Sequence, residues 1–389
     1  MSNSINRRKW IKSSALVAGG LAFCSGAINK LYAMPAKVLK ASARAVSDKQ
    51  AVLSSPPGLK ARLLANENPF GPSAAAKKAM AEAMDTSYQY PFMQMGQLAG
   101  KIATYEGVGQ KSLIMDSGST PLLHAAALFY TKGGKSVITG DPSYDDLPTY
   151  AEEFDAKWIK VPLTADYKLD LDAMEAKVDA NTGLVYICNP NNPTATVVDT
   201  AKLKAFCERV SKKTMVFVDE AYIDYLPDPQ AASMIGLIKS GSNIIVARTF
   251  SKLYGFAGLR LGYAIAQPDV IKALRSYSSA GFNVSAVTLA GALAAYQEKE
   301  FLTDALKKTN ASKEYLYSVL KKEGYEYIPS SANFVMFPLK MNGGKFVGEM
   351  MKRGVGVRSW AFGGKEWCRV SIGRMDEMEA FAEAFKQLS

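Results

Sequence analysis

The chain has 389 residues, 48% hydrophobic and 21% charged, with a formal net charge of +11. That balance leaves room for a substantial core, enough for two domains, and excludes a low-complexity or disordered chain. A single histidine, His124, removes histidine-based triads and zinc sites built from several histidines. No apolar run reaches the roughly 18 residues of a spanning helix, and no basic run interleaved with aromatics, finger or helix-turn-helix pattern points to nucleic acid.

The first elements read as a targeting segment. "NRRKWIKSS" (6–14) carries four basic residues and no acid, an apolar run "ALVAGGLAFCSGA" (15–27) follows, and small residues offer cleavage after Ala27 or Ala33. That three-part layout is an export signal. The pair Arg7-Arg8, an aromatic residue and Lys12 resemble the twin-arginine signal, so export by that machinery to the periplasm is expected. A retained N-terminal anchor helix is the alternative. Five basic residues would leave with residues 1–33, lowering the net charge to about +6, which needs no nucleic acid to explain it. Cys24 would leave as well. Cys188, Cys207 and Cys368 are scattered and make no disulfide framework, and Cys188 and Cys207, in apolar patterns, read as buried free thiols.

Residues 34–72 read as an arm and linker containing "SSPPG" (54–58), 73–272 as a large α/β domain, and 273–389 as a smaller α+β domain. In the large domain "SLIM", "SVIT", "GLVYIC", "MVFV" and "NIIVA" are apolar runs without polar alternation, separated by amphipathic stretches such as "DTAKLKAFCERVSKK" (199–213). Strands of that kind are covered on both faces, which predicts a mainly parallel central sheet with helices on both sides. After 273 come helices, then strand-like "NFVMFPL", "GVGVRSW" and "WCRVSIG", then a closing helix from about 375.

The residues after each strand carry the chemistry. The runs lead into "DSGST" (116–120), "GDPSYDD" (140–146), "NPNNPT" (189–194), "DEAY" (219–222) and "RTFSK" (248–252). In a parallel sheet these ends share one edge, where ligands of such folds bind. "SGSTP" opens a helix, so free N–H groups and the helix dipole can hold a phosphate there, with Thr249, Ser251 and Arg260 as further donors. A lysine beside a phosphate site and an aspartate fits an aldehyde cofactor, pyridoxal 5'-phosphate, with the lysine as imine partner and the aspartate keeping the ring nitrogen protonated.

"ANENPFGPS" (65–73), "YP" (90–91), "NPNNPT", "DEAY", "RTFSKLYGFAGLRLGY" (248–263), "ANFV" (332–335) and "CRVSIG" (368–373) occur in one order and spacing. On these segments, over about residues 60–389, the sequence resembles the fold-type-I pyridoxal-phosphate enzymes of aspartate aminotransferase type. Within them it is most similar to the histidinol-phosphate aminotransferase group. The resemblance implies an aminotransferase that passes an amino group from an amino acid or related amine to a 2-oxo acid with ping-pong kinetics. It further implies Lys252 as Schiff-base lysine and proton carrier, Asp219 at the ring nitrogen, and Tyr222 and Asn192 at the ring's phenolic oxygen. Tyr144 would stack on the ring. Ser119, Thr120, Thr249, Ser251 and Arg260 would hold the phosphate, and Tyr90 would reach the neighbouring subunit's phosphate, which makes the enzyme a homodimer. Arg369 would grip the substrate α-carboxylate, with Arg358, Asn68 and Asn192 as further substrate contacts. No metal is implied.

Other readings stand beside these. Asp219, Ser119 and Thr120 also suit helix caps, Tyr222 and Tyr144 packing aromatics, Arg369 a buried ion pair and Arg358 a surface one; His124 reads as structural. The same fold serves decarboxylases, lyases and oxidases, or a binding protein without catalysis. Two departures from the family pattern stand out: Ala195 replaces a glycine after "NPT", and Thr120-Pro121 follow the phosphate turn in place of acidic residues. "RSWAFGG" (358–364) is also no clean cradle for the phosphate of histidinol phosphate, and an exported copy would serve another amino donor.

Overall fold

The computed structural model describes residues 59–389. The expected export signal, with Arg7, Arg8 and both cleavage positions, lies outside the described residues, as does most of the expected arm.

Seven strands form the main sheet: β2 (Leu113–Asp116), β3 (Ser136–Asp141), β4 (Lys157–Pro162), β5 (Thr182–Cys188), β6 (Met215–Asp219), β7 (Ile244–Thr249) and β8 (Gly262–Ile265). Their order is β2-β8-β7-β6-β5-β3-β4. The pairs β3–β4, β3–β5, β5–β6 and β6–β7 are parallel, and only β8 runs against both neighbours. The five strands read from the sequence therefore run the same way and deliver their C-terminal ends to one edge.

Alternation along these strands builds two cores, one on each face. Val185, Ile187, Val216, Val218, Ile244 and Val246 enter one apolar cluster. Their neighbours Leu184, Tyr186, Met215, Phe217, Ile245 and Ala247 enter the other. Every residue of β5 and β6 is buried, which is why these strands carry no polar alternation. β4 behaves differently. It is an edge strand with Lys157 exposed and Lys160 turned to solvent, so it shows no apolar run, and charge there guards the open edge.

A second sheet holds β9 (Phe334–Pro338), β11 (Arg358–Phe362) and β12 (Lys365–Ser371) in the antiparallel order β11-β12-β9. The short strand β1 (Ala61–Arg62) pairs in parallel with β10 (Val355–Gly356). Ala61 and Leu63 thereby join the core made by this second sheet and the helices Lys299–Lys322, Gly343–Lys352 and Met375–Lys386. The division expected between residues 272 and 273 falls inside the helix Pro268–Arg275. Beyond it, Leu289, Ala292 and Tyr296 still pack in the core of the seven-stranded sheet.

Candidate active site

The common strand edge opens onto a cavity of about 260 Å³. Twelve of the fourteen residues singled out from the sequence line it: Ser119, Thr120, Tyr144, Asn192, Asp219, Tyr222, Thr249, Ser251, Lys252, Arg260, Arg358 and Arg369.

Asp219 ends β6 and is buried. Its Oδ1 accepts the Ala221 N–H at 3.0 Å and its Oδ2 the Tyr186 hydroxyl at 3.0 Å. Burial pushes its carboxyl up to about 6, although Tyr186, the Ala221 amide and Lys252 pull the other way. Lys252 Nζ lies 5.2 Å from the centre of the Tyr222 ring and makes no hydrogen bond or ion pair among the described residues. A free amine and a buried carboxyl thus face one space.

The turn before the helix Thr120–Tyr130 is built by close approach. Gly118 has φ +90°, and a Cβ there would sit 2.3 Å from an Arg260 guanidinium nitrogen. A Cβ on Gly262 of β8 would lie 2.5 Å from the Ser119 amide nitrogen. Both positions require glycine so that the turn can rest on β8 with Arg260 beside it. Ser119 precedes the helix Thr120–Tyr130 without a side-chain capping bond, and the first amides of any helix lack partners within it. Thr249 Oγ1 accepts the Ser251 N–H at 3.0 Å, and Arg260 Nη1 donates to Ser251 Oγ at 3.3 Å. Hydroxyls, amides and a guanidinium therefore converge as an anion cradle.

Arg369 comes from β12 on the second sheet and is buried. It donates to Asn192 Oδ1 at 2.6 Å and to the Leu64 carbonyl at 3.0 Å, while its Nε has no partner. Burial, with Arg358 adding to it, lowers its guanidinium to about 9, so it stays charged at neutral pH. Its partners are neutral groups, not the carboxylate of a buried ion pair.

Two residues fall elsewhere. Asn68 does not line the cavity: its Nδ2 donates to the Leu253 carbonyl at 2.6 Å and its Oδ1 accepts the Phe70 N–H at 3.0 Å. Its neighbour Asn66, not singled out from the sequence, does line the cavity, and its Nδ2 donates to Tyr222 Oη at 3.0 Å. Asn66 is fixed by Ser371, whose hydroxyl accepts the Asn66 N–H at 2.8 Å and donates to Asn66 Oδ1 at 2.9 Å. Tyr186, the other partner of Asp219, lies within the apolar run of buried β5, where the sequence pattern does not distinguish it. Tyr90 is exposed and stacked on Phe92, with ring centroids 5.6 Å apart. His124 stacks on Tyr150 at 3.8 Å with Nε2 3.2 Å from Asp146, away from the cavity lining. Cys188 and Cys207 are buried free thiols, as expected, and so is Cys368. Ala195 holds the left-handed conformation at φ +59°, and its N–H still donates to the Asn191 carbonyl at 2.8 Å.

The sequence profile described as aminotransferase class I and II matches residues 60–385. The chain belongs to that family. A histidinol-phosphate aminotransferase of Moorella thermoacetica is 34% identical over 329 residues, 84% of this chain and 85% of the relative. An aromatic amino acid aminotransferase of Mycolicibacterium vanbaalenii is 35% identical over 320 residues, 82% and 90% of the two chains. The crystal structure of histidinol-phosphate aminotransferase from Sinorhizobium meliloti in complex with pyridoxal-5'-phosphate superimposes with a TM-score of 0.81 at 25% identity, covering 88% of this chain and 95% of that one. This aminotransferase thus has the fold expected from its strand pattern.

Proposed function

We propose that this aminotransferase transfers an amino group from an amino acid to a 2-oxo acid on pyridoxal 5'-phosphate, with Lys252 as its working amine. One observation carries the reading: a free lysine amine, a buried carboxyl and a buried arginine with an unpartnered Nε face one cavity beside an anion cradle.

The residues fit the cofactor. Lys252 would hold its aldehyde carbon, Asp219 its ring nitrogen, and Tyr222 and Asn192 its phenolic oxygen, with Tyr144 against the ring. Ser119, Thr120, Thr249, Ser251 and Arg260 would hold its phosphate. Bound there, pyridoxal phosphate supplies an electron sink for the charge that develops at the substrate's Cα.

The side chains do the rest. Asp219 offers a carboxylate in a low-dielectric setting, where pairing with a protonated ring nitrogen is strong. Arg369, short of one partner, takes the substrate α-carboxylate in a charge-assisted pair, which orients the Cα–H bond. Lys252, whose amine faces the cavity without a hydrogen-bond partner among the described residues, would take the proton from the substrate's Cα and carry it within the site as acid and base in turn. The Asn66–Tyr222 hydrogen bond fixes the phenol that faces the lysine. Arg358 also lines the cavity and would meet the substrate's distal group.

The working unit in this reading is a homodimer. Tyr90 stacks on Phe92, Phe92 meets Phe282 edge-on at 6.2 Å, and all three are exposed. A contiguous apolar patch of that kind suits a second copy, whose cradle Tyr90 would complete. Arg7-Arg8 and the apolar run after them support periplasmic export of the folded, cofactor-loaded chain.

The test is a half-reaction. Holoenzyme given one amino acid and no acceptor should release one equivalent of the matching 2-oxo acid per site. Release of CO2 instead would make the enzyme a decarboxylase.

A further inference from the structure

Asp219 accepts one hydrogen bond on each carboxylate oxygen, and among the described residues only one comes from a side chain: the Tyr186 hydroxyl, 3.0 Å from Oδ2. The strand register explains why a tyrosine can do this. In the parallel pair β5–β6, Cys188 is the partner of Asp219, and Tyr186 the partner of Phe217. Alternation puts these four side chains on one face. Tyr186 therefore starts two residues, about 6.6 Å, back from the Asp219 rung. A tyrosine reaches that far along the strand, and a serine or threonine does not. Its ring packs on Phe217 with centroids 5.9 Å apart, and both residues are fully buried.

Cys188 and Asp219 line the cavity and Tyr186 does not. The hydroxyl thus meets the carboxylate from the core. Burial, with the Asp219 charge adding to it, lifts that hydroxyl well above its usual range, so it keeps its proton and donates. The other titratable groups around Asp219 offer little. Cys188 stands on β5, Glu220 follows in the chain, Tyr144 comes from after β3 and Lys252 from after β7. Lys252 brings positive charge but makes no ion pair with Asp219, and Glu220 brings charge of the wrong sign. A buried carboxylate so placed reverts to the neutral acid unless a donor holds it charged.

We propose that Tyr186 is a positioning residue whose hydroxyl orients the Asp219 carboxylate and holds it anionic, so that the proton of the pair sits on the cofactor's ring nitrogen. This rests on the reading above in which Asp219 faces that nitrogen.

Two measurements on the full chain test it. Tyr186→Phe keeps the ring and its packing and removes only the hydroxyl. In the cofactor-free chain, losing the donor should raise the Asp219 carboxyl further, so that its ionisation costs more stability as pH climbs. In urea unfolding, the ratio of unfolding constants, variant over wild type, should rise about tenfold between about pH 5 and about pH 8. In an Asp219→Asn background the same change should give a ratio flat with pH to within about threefold. The second measurement is the ¹⁵N resonance of holoenzyme loaded with ring-labelled pyridoxal phosphate near neutral pH. Wild type should show a protonated ring nitrogen, and Tyr186→Phe should move the resonance toward the unprotonated position. A ratio flat with pH, or one that rises equally in the Asp219→Asn background, would overturn the proposal. So would a ring nitrogen as protonated in Tyr186→Phe as in wild type, where Asp219→Asn does release that proton. A resonance that Asp219→Asn leaves unmoved sinks the underlying cofactor reading instead, while the unfolding ratio still judges the Tyr186–Asp219 pair.

Discussion

Asp219→Asn should stabilise the cofactor-free protein while damaging the enzyme. Asp219 is buried at the end of β6, and folding raises its carboxyl from 3.8 to about 6, with burial as the main cause. An acid whose pKa rises on folding holds its proton more tightly when folded. Its ionisation therefore costs stability as pH climbs. The penalty is absent below about pH 4, grows between there and about pH 6, and is complete above, at roughly 3 kcal/mol. Asparagine removes that penalty and keeps an oxygen for the Ala221 N–H. The Tyr186 hydroxyl must switch from donor to acceptor against the new amide, which hydroxyls can do, at a cost of about 1 kcal/mol. The net gain near pH 8 is then about 2 kcal/mol. Urea unfolding of cofactor-free wild type and variant at several pH values reads it directly. The gain should shrink toward zero, or turn into a small loss, near pH 4. A gain that does not depend on pH, or a loss near pH 8, would refute the burial account. Holo Asp219→Asn should show the opposite balance, with weaker cofactor retention and little turnover, because the ring nitrogen loses its charged partner. That opposition is the stability–activity trade-off expected of a strained site.

Other residues give sharper structural tests. Arg248 joins buried Glu106 at 2.8 Å and buried Glu220 at 3.0 Å. Arg248→Met leaves both carboxylates uncompensated and should cost about 3–5 kcal/mol in urea unfolding at neutral pH, and a loss under about 1 kcal/mol would count against the network. In Gly262→Ala the new Cβ would lie 2.5 Å from the Ser119 amide nitrogen. Cofactor affinity, followed by fluorescence or calorimetric titration, should fall about tenfold or more, equivalent to ~1.4 kcal/mol, and an unchanged affinity would remove the turn from the phosphate cradle. Changing both Arg7 and Arg8 to lysine should leave the protein in the cytoplasm in a fractionation experiment, whereas undiminished export would rule out the twin-arginine route.

The site was more legible in the sequence than the fold around it. Strand ends in a parallel sheet converge by topology, so "DEAY", "NPNNPT" and "RTFSK" point to one crevice before any coordinate is known. What sequence patterning misses has physical causes. β4 is an edge strand whose lysines break the apolar run, and β8 is four residues long behind a glycine-rich turn. Asn66 and Asn68 flank Glu67 in the same short segment, and only the backbone decides which faces the cavity. Asn66 adopts φ +54° and is caught by Ser371, some 300 residues away in sequence. The charged face of β11 and β12 is equally silent in one dimension, because Arg358, Trp360 and Arg369 meet only once the ladder register is known. The segment from 273 onward changes in pattern, yet Leu289 and Ala292 still pack in the first core.

The central claim is that Lys252 is the amine that moves the substrate's proton. The direct measurement is single-turnover release of 2-oxo acid from holoenzyme, screened over single amino acids, in wild type and Lys252→Ala. Wild type should release one equivalent from its preferred donor, and Lys252→Ala should slow that release on the order of 10²–10⁴-fold while retaining the fold. Release at the wild-type rate in Lys252→Ala would contradict the account.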